Sequence, residues 1–307
     1  MALRAPALRR GDVIGVVAPS GAIREEHKAQ LERGTQALRG LGFEVAFAPN
    51  MFERHYYSAG SLDERAHDIN DLWQRRDVRM ILMAQGGHSL AGLLDRLDYQ
   101  RFHADPKIFM GFSDGTFATN AILSRSDLIS FSGPDLIWGF GRDMDDRFRN
   151  NVVDVLSGWT GEYRLEDPRT VRGGKSSGPL VGGHSECFLT ACYAGYAPDL
   201  DGAVLFIEGT QPVSQLERQF QAMRLHGVFE RIAGLILGHF DGSAAETPDE
   251  DRAVADMVLE VTGAFRFPIL EIKELGHNVE QFVFPLGCRV TLDATARSIT
   301  LQEAAVC

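Results

Sequence analysis

The sequence predicts an α/β protein, with a mostly parallel N-terminal sheet flanked by helices and a smaller C-terminal α/β domain that has a β-rich end. Three observations predict it. Short apolar runs alternate with amphipathic stretches through the first half of the chain. The rhythm breaks near residues 159–174 into a segment rich in Gly, Ser, Pro and charge, and then resumes. At 307 residues the chain exceeds what one hydrophobic core commonly serves, so two domains are expected.

The elements follow in order. "DVIGVVAPS" is a buried strand ending in a turn, and residues 27–41 place Leu31, Ala37, Leu38 and Leu41 near one helical face. "FEVAFAP" is a second strand. Residues 61–75 form a helix opened by Ser61 with Glu64 three positions on, the spacing of a capping box. "VRMILMAQ" is a third strand, followed by a Gly-Gly turn and the helix-like "SLAGLLDRL". "KIFMGF" is a fourth, running into a helix from Asp114. Strands alternating with helices in this way make a sheet of the Rossmann/flavodoxin-like kind. The expected divisions are an N-terminal domain at 1–158, a linker at 159–174 and a C-terminal domain at 175–307. Beyond the linker come the strand "AVLFIE", a helix near 212–225, the strand "GLILGHF", a helix near 248–261 and "FPILEI", with the hairpin-like "CRVTLDATARSITLQ" closing the chain.

Composition removes several classes of function. A formal charge of −11 opposes general binding to nucleic acid or an anionic membrane surface. No stretch approaches the roughly 20 apolar residues that span a bilayer. The four cysteines, at 187, 192, 288 and 307, form no C-x-x-C pair, which fits a reducing compartment. The nine histidines show no H-E-x-x-H pattern, so no metal is expected, and nothing calls for a cofactor. Gly174-Lys175-Ser176 superficially matches the end of a phosphate-binding loop, but Arg169 stands where its first glycine belongs.

Gly111-Phe112-Ser113-Asp114-Gly115 satisfies G-x-S-x-G in the required setting, an apolar strand before and a helix after. The glycines relieve crowding where the backbone bends sharply, and the helix N-terminus favours developing negative charge at Ser113. The plainer role for Ser113 or Asp114 is a helix cap. A nucleophilic serine needs a base and a carboxylate to orient it. His277, in a loop after an apolar strand, is the most suggestive histidine. His88 and His184, each after a Gly-Gly turn, also qualify, while His239 fits a satisfied position in the fold. Glu208 ends the run "GAVLFIEGT", where an open sheet gathers ligand-binding groups; the alternative is a cap for the helix that follows.

Six blocks in order, "GDVIGVVAPSG", "GGHSLAGLLDRLDY" with "KIFMGFSDGT", "GPLVGGHSECF", "LFIEGT", "ILGHF" and "GHNVEQFVFPLG", resemble the LD-carboxypeptidase family. These are serine peptidases with a Ser-Glu-His triad, and the group includes the microcin C self-immunity peptidases. The resemblance implies Ser113 as nucleophile, Glu208 as carboxylate and His277 as base, with the amides of Gly87 and Asp114 as oxyanion hole. It implies hydrolysis of an L,D-amide in a cytoplasmic muropeptide. One alternative is cleavage of an aminoacyl-nucleotide toxin, with Trp138 or Trp159 stacking on the base. Another, of a different kind, is a two-lobed protein that binds a small ligand without chemistry. The expected partner is a small peptide or peptidyl-nucleotide, and the family's habit of pairing chains allows a homodimer. The chain departs from the family at His88-Ser89, where an aromatic and a glycine are frequent, at His184, where asparagine is common, and at Ser132, where relatives often have histidine. With Trp138, the residues His88, Ser89 and His184 are the expected substrate contacts.

Overall fold

The structure, a computed structural model, describes residues 2–242 and 252–307. It divides into two compact units, the first comprising Met1–Trp159, Gln281–Leu286 and Ala304–Cys307, the second Thr160–Glu280 and Gly287–Glu303.

The first unit holds strands β1 (Val13–Val17), β2 (Glu44–Phe47), β3 (Val78–Met83), β4 (Ile108–Gly111) and β5 (Ser130–Ser132). Its helices are α1 (Lys28–Gly40), α2 (Leu62–Gln74), α3 (Tyr99–Ala104), α4 (Thr116–Ser126) and α5 (Asp146–Leu156). Strands β1 to β5 are parallel in the order 2-1-3-4-5, the flavodoxin-like arrangement. The middle strands β1 and β4 are apolar throughout, as expected of strands covered on both faces, β3 is interrupted only by the exposed Arg79, and β4 and β5 are buried along their whole length. Trp73 of α2 stacks on Phe102 of α3 with ring centroids 3.8 Å apart. The capping box is formed: Ser61 Oγ accepts from the Glu64 amide, and the Glu64 carboxylate accepts from the Ser61 amide.

The second unit begins with β6 (Gly161–Glu162), β7 (Arg169–Arg172), β8 (Lys175–His184), α6 (Ser185–Tyr193) and β9 (Val204–Gly209). It continues with α7 (Val213–Leu225), α8 (Val228–Arg231), β10 (Gly234–Phe240), α9 (Val254–Val261) and β11 (Ile269–Gly276). A further strand, β12 (Phe284–Leu286), belongs to the first unit; β13 (Arg289–Asp293) and β14 (Ser298–Leu301) complete the second. Its eight strands run β6-β14-β13-β8-β9-β10-β11-β7. Strand β8 joins two halves. Residues 175–179 pair antiparallel with β13, and residues 180–184 pair parallel with β9, which continues parallel through β10 and β11.

The composition-based boundaries differ from this arrangement in three places, one of them the return of Ala304–Cys307 to the first unit, where Val306 bridges to Ala5. Segment 159–174 carries β6 and β7, the two outermost strands of the second sheet. Edge strands with a solvated side favour charge over apolar alternation, so "GE" and "RTVR" look like linker in composition. Residues 281–286 return to the first unit, where β12 pairs antiparallel with β5 and the Val283 amide donates to Asn151 Oδ1 at 2.7 Å. Buried Phe282, Val283, Phe284 and Leu286 cover an edge that β5 would otherwise leave open. "SLAGLLDRL" forms 3-10 turns over Leu90–Arg96. The last helix runs Val254–Val261; the part expected at 248–251 lies outside the described residues.

Replacing Ser61 with Ala removes one side of the capping box that starts α2. The expected cost is about 1 kcal/mol, read as a lower urea midpoint with an unchanged slope; an unchanged midpoint would contradict the cap.

Candidate active site

Ser113 follows β4, at the carboxyl edge of the first sheet, and its backbone has φ +58°, a left-handed conformation that a residue with a Cβ adopts rarely. A 3-10 turn, Ser113–Gly115, leads directly into α4. This is the geometry of a strained strand-to-helix elbow that lifts a hydroxyl out of the backbone path. The turn after β3 packs against it. A Cβ added at Gly86 would lie 2.9 Å from Ser113 Cβ and 3.1 Å from its Oγ, so no other residue fits there without displacing the serine. Gly87 has φ +153°, and a side chain on it would meet Ser20 Oγ at 2.4 Å.

A buried carboxylate fastens these pieces together. Asp114 Oδ2 accepts from Ser20 Oγ at 2.5 Å, from the Ser89 amide at 2.9 Å and from the Leu90 amide at 2.8 Å. One side chain therefore ties the ends of β1, β3 and β4 into a single polar knot. Arg65 of α2 supports it from below: its Nη1 donates to Pro19 O at 2.7 Å and to Ser89 Oγ at 3.0 Å. Burial pushes the Arg65 pKa down from its ordinary value, and the nearby Asp114 charge works against that shift. Asp114 thus does more than cap a helix.

In the second unit, β8 and β9 place His184 directly beside Glu208 in parallel register. His277 follows β11. Gly276 has φ +135°, and a Cβ there would lie 2.5 Å from the His239 carbonyl, so glycine alone lets β11 turn against β10 and deliver His277. His277 Nδ1 and Glu208 Oε2 are 2.7 Å apart; the carboxylate is fully buried, and the histidine side chain is 24% exposed. An ionised carboxylate facing Nδ1 fixes the tautomer with the proton there and leaves Nε2 as the lone-pair nitrogen. Among the described residues, a ligand atom from each of His184, Glu208 and His277 lies within 4.8 Å of the other two. His184 Nε2 is 3.4 Å from Thr210 Oγ1, and its ring meets that of His277 edge-on at 5.5 Å.

The family model of the LD-carboxypeptidase N-terminal domain matches residues 14–133, and that of the LD-carboxypeptidase C-terminal domain matches residues 177–292. The chain belongs to the LD-carboxypeptidase family. It is a serine-type carboxypeptidase, and the alternative of a ligand-binding protein without chemistry falls away. Microcin C7 self-immunity protein MccF of Escherichia coli is 26% identical over 98% of this chain and 96% of its own. The murein tetrapeptide carboxypeptidase of Pseudomonas aeruginosa is 25% identical over 91% and 92%. The solved structure of MccF in complex with aspartyl sulfamoyl adenosine superposes with a TM-score of 0.90 at 25% identity, covering 99% of this chain and all of that one.

The remaining expected contacts of this LD-carboxypeptidase fall as follows. His88 is exposed in the Gly-Gly turn. The Ser89 hydroxyl is engaged by Ser58 at 2.8 Å and by Arg65. Trp138, 40% exposed, donates through Nε1 to Gln85 Oε1 at 3.3 Å, which holds it at the end of β3. His239 points to solvent from β10. Glu208 does not cap α7, whose N-cap is Pro212. Sequence reasoning missed Ser20, Arg65 and Gly86. For Arg65 a signal was available, because it shares a helical face with the buried Ile69 and Leu72 and has no business there unless paired.

Replacing Asp114 with Ala leaves the buried Leu90 amide and the Ser20 hydroxyl without this acceptor and removes one of the two acceptors of the Ser89 amide. Unfolding in urea is expected to show a loss of about 2–4 kcal/mol, whereas a loss below about 0.5 kcal/mol would show that the carboxylate is not the fastening.

Proposed function

We propose that this carboxypeptidase hydrolyses the L,D-amide bond of muropeptides and releases a terminal D-amino acid, using Ser113, His277 and Glu208 as one triad. The reading rests chiefly on the 2.7 Å contact of His277 Nδ1 with a carboxylate that has no exposure to water. Such a pair serves little purpose in stability and a clear one in holding an imidazole as a base. The left-handed backbone at Ser113 adds support from the other unit.

In this proposal Ser113 Oγ attacks the scissile carbonyl while His277 Nε2 takes its proton. Glu208 keeps Nδ1 protonated and stabilises the imidazolium. The amides of Gly87 and Asp114 donate to the oxyanion, each contributing about 3–4 kcal/mol to the transition state. His277 then returns the proton to the leaving amine, which departs as the free D-amino acid. Water, deprotonated by His277, cleaves the acyl-enzyme and restores the serine. His88, Ser89, His184 and Trp138 are assigned to contacts with the rest of the peptide. The reaction is placed in the cytoplasm, on wall fragments undergoing recycling, and the protein is proposed to pair as a homodimer.

A second reading is favoured by Trp138. Its indole is partly open to solvent and flanked by Arg142, whose guanidinium carbon lies 5.2 Å from the ring centroid. An aromatic platform of this kind suits a nucleobase. The substrate would then be an aminoacyl-nucleotide, cleaved at its acyl–nitrogen bond by the same serine.

Purified protein incubated with an L,D-tetrapeptide is expected to release the terminal D-amino acid, and Ser113→Ala to lose about a thousandfold or more of that rate while unfolding at the same urea concentration. Substantial turnover by the variant would remove Ser113 from the role. Cleavage of aspartyl sulfamoyl adenosine with no action on the tetrapeptide would transfer the assignment to the second reading.

A further inference from the structure

We propose that His184, Glu208 and His277 form a binding site for a divalent transition-metal ion, with zinc the best match, and that the bound ion shuts the peptidase down. The binding half rests on this chain's geometry alone. The inhibitory half rests on the proposed role of His277 as base.

Two neutral imidazoles and a carboxylate, presented from one side, are the donor set that zinc and its neighbours in the periodic table take in three-ligand sites. Here all three sit at or just beyond the carboxyl ends of the parallel strands β8, β9 and β11 of one sheet, so the backbone ladder fixes their origins. Their donor atoms lie within 4.8 Å of one another. Bonds of about 2.0–2.2 Å in a tetrahedral site separate ligand atoms by about 3.4 Å, so closure requires side-chain rotations on the order of 1 Å. The partly exposed His277 ring has room for such a rotation.

A second observation points to a cation. Glu208 is fully buried, and its Oε1 has no hydrogen-bond partner among the described residues. A carboxylate oxygen without a donor in a dry site carries a large unmet demand for positive charge. His277 meets the other oxygen only. A triad carboxylate needs to hold one histidine, yet this one has a second imidazole beside it in strand register, with Thr210 Oγ1 near its Nε2. Hydrogen bonds of this kind commonly orient a ligating ring.

Inhibition follows from the electron count of the ring. A neutral imidazole has one nitrogen lone pair outside the aromatic sextet. Coordination through either nitrogen consumes it, so a metal-bound His277 has nothing with which to take the proton of a serine hydroxyl. Metal entry displaces no covalent bond, and chelation reverses it.

The test uses the full-length protein stripped with a chelator. Cobalt(II), added as a spectroscopic stand-in, is expected to give the intense visible bands of a low-coordinate site at one equivalent, and zinc to abolish them. Competition against a chromophoric chelator is expected to show zinc binding at least about 100-fold weaker in His184→Asn, with Glu208→Gln as a second variant; circular dichroism and urea unfolding confirm that each is folded. Absence of cobalt bands in the unaltered protein, or full retention of zinc affinity in both folded variants, overturns the site. Peptidase activity is compared with and without zinc within each protein. The unaltered enzyme is expected to lose at least about tenfold in rate at saturating zinc, with chelator restoring it, and His184→Asn is expected to resist the same concentration. Tight binding at the three residues with no change in rate would overturn the inhibitory half. Failure of the protein to cleave any peptide, with the cobalt bands intact, would count against the proposed function and leave the binding site standing.

Discussion

The arrangement depends on one contact, the hydrogen bond between His277 and the buried carboxylate of Glu208. An ionised side chain without access to water is costly, and a sheet built for stability alone would put a leucine there. The neighbours explain why the position is tolerated. Glu208 comes near the end of β9, a strand otherwise made of Val, Leu, Phe, Ile and a terminal Gly, all buried. Its flanking strands β8 and β10 are both parallel to it, which brings the carboxyl ends of several strands to one edge and lets side chains from sequence positions nearly a hundred residues apart meet. Gly276 is the price of this geometry on the other side, since the turn that presents His277 passes too close to β10 for any side chain.

The first unit solves a different problem, that of holding a serine in a backbone conformation it does not favour. A left-handed residue costs on the order of 1–3 kcal/mol unless its surroundings over-determine it. Here they do. Asp114, the next residue along, is bonded to the ends of two other strands, and the absence of a side chain at Gly86 leaves the serine its place. Arg65 supplies the counter-charge beneath. The flavodoxin-like strand order puts the serine and its clamp at neighbouring carboxyl ends, so strain and clamp share one foundation. The family match covers both units, in keeping with machinery distributed along the whole chain.

Much of this was legible in the sequence, and the reasons differ by element. The parallel core strands announced themselves because burial on both faces demands unbroken apolar runs, as in "MILM" and "AVLFI". The capping box at Ser61 and the elbow at Ser113 are local devices whose chemistry lies within a few residues, so spacing alone revealed them. Strands β6 and β7 were hidden because an edge strand answers to solvent as much as to the sheet. The return of residues 281–286 to the first unit was hidden for another reason: pairing between β12 and β5 joins segments about 150 residues apart, and no local pattern encodes it. The clamp around Asp114 and the proximity of His184 to Glu208 are likewise long-range facts. Each residue was visible as a polar group after a turn, but its partner was not.

Whether Ser113 and the His277–Glu208 pair act as one unit is best tested by comparing the kcat of Ser113→Ala, His277→Ala and the double variant on the same L,D-peptide. Groups that work through a single proton transfer give strongly non-additive losses, so the double variant should be no slower than either single one. If instead the two losses multiply, the serine and the histidine contribute independently, and the triad as described is contradicted.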